Sequence, residues 1–258
     1  MKVINLSALG FCSGVKEATN KLNEFLKKNP LAYCVHPLVH NHAVQKEYQA
    51  HLLPYQDDLQ YPTIISAHGL PINHPAWNTS HLDLTCHKIY QVRDLIVQKI
   101  KEGYQVIYYG DPNHQECRYI ASLSPAIQIT KDYQQINSKI FLTCQTTADD
   151  LAFSQFALQY PQAMLYNNTC SEVNSRLKAI RSIKDGIVLV IGDHSSANTN
   201  LLYQASLNAK NPTLLIETPH DLQISLDVLK KYQIAYLVSA TSAPSEQIEQ
   251  VRNYLKTI

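Results

Sequence analysis

The chain has 258 residues, with 22 Lys+Arg against 21 Asp+Glu and a formal charge of +1. A charged share of 17% beside 45% hydrophobic residues excludes a charge-driven disordered chain. It also argues against a general nucleic-acid binder, which needs surplus cations to displace counterions. Its longest apolar runs, such as Ile187–Ile191, fall far short of the ~18 residues that span a bilayer. Asn5 breaks the apolar start, so no signal-peptide core is expected, and the expectation is a cytoplasmic globular protein without a membrane segment. At roughly 100–200 residues per domain the length fits one large domain, two ordinary ones or several small lobes.

In chain order, a strand-like stretch from Val3 leads to Cys12, after which Val15, Ala18, Leu22, Phe25 and Leu26 share one helical face. Residues 33–39 read as a strand leading to His40-Asn41, and Thr63-Ile-Ile-Ser-Ala as another leading to His68-Gly69. Leu82-Asp-Leu-Thr precedes Cys86, and Ile89, Val92, Ile96 and Ile100 then repeat at helical spacing until Gly103. Val106-Ile-Tyr-Tyr runs into a polar loop holding His114 and Glu116, and residues 139–142 run into Gln145-Thr146-Thr147. Cys170 opens a third helical stretch with Val173, Leu177 and Ile180, bounded by Gly186. Ile187–Ile191 runs into the loop with His194, Ser196 and Asn198, and residues 235–238 run into Ser242-Ala-Pro.

Cys12, Cys86 and Cys170 lie 74 and 84 residues apart, so the chain reads as three approximate repeats of ~80 residues. The expected fold is α/β: a trefoil of three pseudo-repeated lobes with mostly parallel sheets. The lobes would comprise residues 14–85, 86–169 and 170–258, the last completed by residues 1–13. In such sheets ligands sit beyond the carboxyl ends of the strands, where the polar loops named above fall.

The six cysteines form no Cys-X-X-Cys pair, so a local zinc knuckle is not expected and any metal site must combine distant segments. A cysteine at a helix N-terminus faces unpaired N–H groups and the positive dipole end, which favour the metal-binding thiolate. Three such thiolates could hold a 4Fe–4S cubane, leaving one iron open to bind a substrate oxygen as a Lewis acid. The same geometry would suit zinc. Cys34, Cys117 and Cys144 lack this context and read as packing residues. Glu116 reads either as a solvated loop residue or as a general acid, if burial favours its protonated form.

The motifs resemble those of the 4-hydroxy-3-methylbut-2-enyl diphosphate reductase family. Gly10-Phe-Cys-Ser-Gly-Val15 is similar to its G-F-C-x-G-V, Val39-His-Asn41 to V-H-N, Ser66-Ala-His-Gly69 to S-A-H-G and Asp83-Leu-Thr-Cys86 to D-A-T-C. His114-Gln-Glu116 resembles H-P-E, Gln145-Thr-Thr147 Q-T-T, Ser196-Ala-Asn198-Thr-Asn200 S-S-N-S-N and Ser242-Ala-Pro244 S-A-P, while Asn168-Thr-Cys170 falls where the third cysteine belongs. The resemblance covers essentially the whole chain, in order. It implies an iron–sulfur oxidoreductase that ends the non-mevalonate isoprenoid pathway. The implied reaction is reductive dehydroxylation of an allylic diphosphate to isopentenyl and dimethylallyl diphosphates. It also implies a 4Fe–4S cluster on Cys12, Cys86 and Cys170, and proton delivery by Glu116 with Thr146. The diphosphate would be held by His40, His68, His114, Ser196, Asn198 and Ser242, and reduced ferredoxin or flavodoxin would be the electron donor. The sequence departs from the family pattern at Ala197, at His87 and at Asp111-Pro-Asn113. Two other readings stand beside this one: a paralogue using the same cluster on a different small substrate, which Ala197 motivates, and a non-catalytic iron–sulfur redox protein.

Overall fold

A computed structural model describes residues 1–56 and 60–257 of the chain. After β1 (Lys2–Asn5), three groups of strands follow one another. The first comprises β2 (Ala32–Cys34), β3 (Leu52–Pro54), β4 (Thr63–Ile65) and β5 (His81–Asp83), in the spatial order β3-β2-β4-β5. The second comprises β6 (Gln105–Tyr109), β7 (Ile127–Thr130), β8 (Ile140–Cys144) and β9 (Met164–Leu165), in the order β7-β6-β8-β9. The third comprises β10 (Ile187–Ile191), β11 (Thr213–Ile216) and β12 (Ile234–Ser239), with β1 added beside β12 in the order β11-β10-β12-β1. Every pairing is parallel. The three sheets therefore share one strand order, with β1 in the place that β5 and β9 occupy in the other two.

The helices lie between the strands and after the last of them. They are α1 (Ser13–Leu26), α2 (His42–Tyr48), α3 (His87–Lys101), α4 (Gln115–Ser122), α5 (Asp150–Ala157), α6 (Ser171–Arg181), α7 (Ala197–Asn208), α8 (Pro219–Ile224), α9 (Leu226–Leu229) and α10 (Ser245–Leu255). Of these, α1, α3 and α6 carry the apolar stripes that the sequence indicates. The β6–β9 sheet shows how helices cover a sheet on both faces. Val106, Tyr108 and Phe141 pack with Ile89, Val92 and Ile96 of α3 and Cys117 and Ile120 of α4. Ile107, Leu142 and Cys144 point the other way, toward Phe153 and Phe156 of α5, as the two-residue period of a strand requires. The all-apolar β10, buried at every position, packs with β12 against α8, α9 and α10 through Leu222, Leu229, Ile248, Val251 and Leu255.

The chain forms two compact units, one from residues 1–16, 39–47 and 171 onward, the other from 17–38 and 48–170. The first holds the β1/β10–β12 sheet, the second the other two sheets.

Two segments differ from the sequence expectation. The strand expected over 33–39 ends at Cys34, where its pairings with β3 and β4 also stop, and Pro37, which lacks an N–H, bars its resumption a few residues on. The helix bounded in the sequence by Gly186 ends earlier, at Arg181. Gly186 instead turns the chain into β10 with φ +80°, where a Cβ would stand 2.7 Å from the Ile234 carbonyl oxygen.

Candidate active site

In the first two sheets the central neighbours β2/β4 and β6/β8 send their chains off in opposite directions along the strand order, and in the third β10 leads outward to β11 while β12 is flanked on its other side by β1 from the start of the chain. Such a switch point opens a crevice at the carboxyl ends, which is where open α/β sheets bind ligands. The residues singled out in the sequence follow these strand ends. His40 lies beyond β2 and His68 beyond β4; His114 and Glu116 lie beyond β6 and Thr146 beyond β8; Ser196 and Asn198 lie beyond β10 and Ser242 beyond β12.

The three cysteines share one local arrangement. Each immediately precedes a helix: Cys12 precedes α1, Cys86 α3 and Cys170 α6. The Cys12 N–H donates to the Thr241 carbonyl at 3.1 Å, the Cys86 N–H to the Ala67 carbonyl at 3.0 Å and the Cys170 N–H to the Thr146 carbonyl at 2.8 Å. Each acceptor lies two residues beyond its strand, β12, β4 or β8. All three cysteines are half-buried, while Cys117 and Cys144 are buried. Burial pushes the Cys34 thiol up to about 11 and Cys144 to about 12, and raises Cys117 as well. In those three, burial disfavours the thiolate, the metal-binding form. Cys12, Cys86 and Cys170 instead each stand at the start of a helix, where the positive dipole end favours a thiolate.

Glu116 sits in the first turn of α4 and is 1% exposed. Its Oε1 accepts the Tyr108 hydroxyl at 2.6 Å and the Thr146 N–H at 2.7 Å, and its Oε2 accepts the Thr146 hydroxyl at 2.6 Å. His114 is the N-cap of α4, its Nδ1 accepting the Glu116 N–H at 3.3 Å. Nδ1 therefore carries no proton, and the neutral ring bears its proton on Nε2. Burial lowers the His114 pKa, opposed by the charges of Glu116 and Asp111. The His114 and His68 rings meet edge to face with centroids 5.3 Å apart. Gln145 ties the loop down: its Oε1 accepts the Asp111 N–H at 3.1 Å and the Cys117 thiol at 3.4 Å.

The other unit gathers Cys12, His40, Ser196, Asn198 and Ser242. Ser196 is the N-cap of α7, its Oγ accepting the Thr199 N–H at 3.3 Å, which leaves its hydroxyl proton to donate. Asn198 is buried, and its Oδ1 accepts the Thr241 N–H at 2.9 Å. Its Nδ2 has no partner among the described residues, an arrangement that suits an anion as acceptor. Ser242 donates to the His40 carbonyl at 3.4 Å.

Three features escape sequence reasoning. Arg176, 2% exposed, donates from Nη1 to the Ser239 carbonyl at 2.6 Å and from Nη2 to the Gly10 carbonyl at 2.8 Å. Its signal was present, since it falls on the helical stripe of Val173, Leu177 and Ile180. Tyr108 reads in the sequence only as a core strand residue. His42 reads as unpatterned, yet its Nδ1 lies 2.9 Å from Asp193 Oδ2 and 2.8 Å from Glu217 Oε1, joining three distant segments.

Fold and site together define an α/β protein of three like sheets, with helix-start cysteines, imidazoles and a hydrogen-bonded buried carboxyl at the switch points. A family model described as LytB protein matches residues 3–256, and the chain belongs to that family. It is 25% identical to 4-hydroxy-3-methylbut-2-enyl diphosphate reductase of Fusobacterium nucleatum, over 100% of this chain and 34% of that protein. It is 29% identical to the apicoplast 4-hydroxy-3-methylbut-2-enyl diphosphate reductase of Plasmodium falciparum, over 95% of this chain and 50% of that one. The chain thus spans about a third and a half of the lengths of these two relatives. A solved structure of the E-1-hydroxy-2-methyl-but-2-enyl-4-diphosphate reductase from Plasmodium falciparum superposes with a TM-score of 0.88 at 27% identity, covering 99% of this chain and 88% of that one. Among the described residues no helix is long and apolar enough to cross a membrane.

Proposed function

We propose that the chain reductively dehydroxylates 4-hydroxy-3-methylbut-2-enyl diphosphate to isopentenyl and dimethylallyl diphosphate, using a 4Fe–4S cluster held by Cys12, Cys86 and Cys170. Family membership supports this reading, and one structural observation carries it. The three cysteines alone among the six precede helices with their N–H groups bonded to the residue two beyond a switch-point strand. When bound, the cluster supplies electrons, drawn from reduced ferredoxin or flavodoxin, and a Lewis-acidic iron that no protein side chain occupies.

The chain's own residues have separable tasks. The substrate hydroxyl is a poor leaving group and must depart as water, so a proton has to reach it. Glu116 holds that proton in a buried nest and Thr146, whose hydroxyl touches Oε2, passes it on. His114 offers Nε2–H to the diphosphate, with its ring fixed by the Nδ1 bond to α4. His40 and His68, the Ser196 hydroxyl, the unpartnered Asn198 amide and the Ser242 hydroxyl, which would turn from the His40 carbonyl to the anion, complete the donors. Such a set binds a diphosphate without a basic surface, consistent with a net charge of +1. A docking anion also favours the protonated form of the imidazoles, which adds attraction.

The test is anaerobic purification or reconstitution, iron and sulfide analysis, and incubation with the diphosphate and a reduced one-electron donor. Consumption of substrate with formation of both five-carbon diphosphates is expected. Cluster-loaded protein that leaves the substrate intact would overturn the assignment.

A further inference from the structure

Within the Glu116 nest the two carboxyl oxygens differ. Oε1 is met by two donors, the Tyr108 hydroxyl at 2.6 Å and the Thr146 N–H at 2.7 Å. Oε2 is met by the Thr146 hydroxyl at 2.6 Å. With the Tyr108 hydroxyl and the Thr146 N–H both donating to it, Oε1 has both of its lone pairs taken as acceptors and no place for a proton of its own. A hydroxyl can accept and donate at once, so a proton on Oε2 has a ready acceptor in Thr146 Oγ1.

We propose that Tyr108 is a positioning residue: with the Thr146 N–H it holds Oε1 of Glu116 as a pure acceptor, so that the transferable proton resides on Oε2 and leaves through the Thr146 hydroxyl. The inference rests on the reductase reading of this site. In the step so defined, the Glu116 Oε2–H bond breaks as Thr146 Oγ1 takes that proton. The proton already on Oγ1 passes to the substrate hydroxyl oxygen. The allylic C–O bond then breaks with its electron pair on the departing water. Glu116 is left as a carboxylate, still held by its three donors. To complete the balance the allylic fragment would need two electrons, which a cluster held by Cys12, Cys86 and Cys170 would supply from the reduced one-electron donor, and a second proton drawn from solvent and added at carbon.

The surroundings keep Tyr108 in the donor role. Its side chain is in the middle of β6 and fully buried. Burial first, then the Glu116 charge, hold the phenol well above its ordinary range, so it keeps its proton at every working pH. Among the described titratable groups, Cys117 and Cys144 act on Tyr108, His114 feels Glu116 and Asp111, Asp111 and Lys131 act on both His114 and Cys117, and Cys86 packs against the same cluster as Tyr108. Burial favours the protonated Cys117 and Cys144 thiols and disfavours the imidazolium. A buried tyrosine hydroxyl generally finds some partner, so a merely structural role has to be separated by experiment.

The experiment is difference infrared spectroscopy of the loaded holoprotein, using Glu116→Gln to isolate the Glu116 bands, together with pH profiles of turnover. In Tyr108→Phe the C=O band of the protonated carboxyl should shift to higher frequency. With one donor fewer on the charged form, the alkaline limb of kcat/KM should move up by about one pH unit. A fall of about tenfold in kcat is expected with KM unchanged, because Tyr108 reaches substrate only through Glu116. Site-specific 3-fluorotyrosine at position 108 keeps the shape and the hydroxyl but donates more strongly, so the band and the limb should move the opposite way. This second variant decides the matter if Tyr108→Phe fails to fold. Bands and limbs that stay at their wild-type positions would overturn the proposal. If wild-type protein leaves the diphosphate intact, the reductase reading fails, while the infrared shifts still decide the role of Tyr108.

Discussion

Replacing Arg176 by Met keeps the length and apolar stem of the side chain on α6 and removes its guanidinium. Two hydrogen bonds from a charged donor are lost, to Ser239 and Gly10, each worth about 1.5–3 kcal/mol. Their sum overstates the loss, because the variant no longer buries a cation, whose desolvation offsets part of what the bonds contribute. Glu172 also loses an attraction to Arg176. The net expectation is about 3–4 kcal/mol. Arg176→Lys should fall between, since one ammonium cannot reproduce the planar fork that serves two carbonyls. The loss is local in origin: the carbonyls belong to the segment before Cys12 and the end of β12. The same two segments are joined by the Gly10 N–H to Ser239 Oγ at 2.8 Å and the Cys12 N–H to the Thr241 carbonyl. Hydrogen exchange by mass spectrometry should therefore show residues 10–13 and 239–243 exchanging faster by two to three decades, at 1.4 kcal/mol per decade. The only tryptophan, Trp77, lies in the other unit, so its fluorescence is the wrong reporter. Unchanged exchange at those two segments in Arg176→Met would refute the reasoning.

Serine at Cys12, Cys86 or Cys170 should each lower iron and sulfide per chain, whereas Cys34→Ser, Cys117→Ser and Cys144→Ser should keep both near wild type; metal analysis of anaerobic protein decides between the two groups. Gly69→Ala should cost about 1–3 kcal/mol in a thermal melt, because φ is +80° and the new Cβ would stand 2.7 Å from the Tyr119 ring; an unaltered melting temperature would contradict this. The His42–Asp193–Glu217 triad predicts a pH window. The hydrogen bond to Glu217 and the charge of Asp193 raise the His42 pKa, so its contribution is complete below about pH 6.5 and fades as pH climbs through the raised value. Asp193 is lowered; burial opposes the shift, and hydrogen bonds from Ser195 and the His42 N–H, with the His42 charge, prevail. Its contribution is complete above about pH 3.9 and fades as pH falls through the lowered value. Urea midpoints of wild type should thus lose stability on the alkaline side relative to His42→Gln, modestly because His42 is largely exposed; parallel curves for the two proteins would rule the triad out.

Much of the fold can be read from residue pattern because it depends on local periodicity. Ile89, Val92 and Ile96 recur at helical spacing and are buried together in α3. The uninterrupted apolar run of β10 is what a strand covered on both faces needs. What the pattern hides is the exception inside a correct element. Arg176 lies among Val173, Leu177 and Ile180 and is as buried as they are, because two backbone carbonyls take its charge-bearing donors. Tyr108 alternates properly with Ile107 in β6, and nothing in that alternation indicates that its hydroxyl meets Glu116. The triad joins His42 to Asp193 and Glu217, which lie 151 and 175 positions further along the chain. Its existence depends on loop conformations that periodicity does not encode.

The cysteines show why motif and geometry carry different information. Cys86 stands three residues beyond β5, Cys170 five beyond β9 and Cys12 seven beyond β1. Distance from the preceding strand therefore varies, and the equivalence shows in the sequence through the helical stripe after each cysteine and the ~80-residue repeat rather than through a fixed strand-to-cysteine spacing. What stays constant is the hydrogen bond each cysteine makes to the neighbouring loop, always to the carbonyl two residues beyond β4, β8 or β12. A backbone N–H anchored in that way sets the start of the helix that follows, and with it the direction in which Cβ and the sulfur leave the chain. The intervening loop can lengthen without moving the sulfur, because its closing entropy grows only with the logarithm of its length. A repeated cysteine position can thus outlast the loss of any fixed strand-to-cysteine spacing, provided the residue beyond each switch-point strand keeps its carbonyl free to accept.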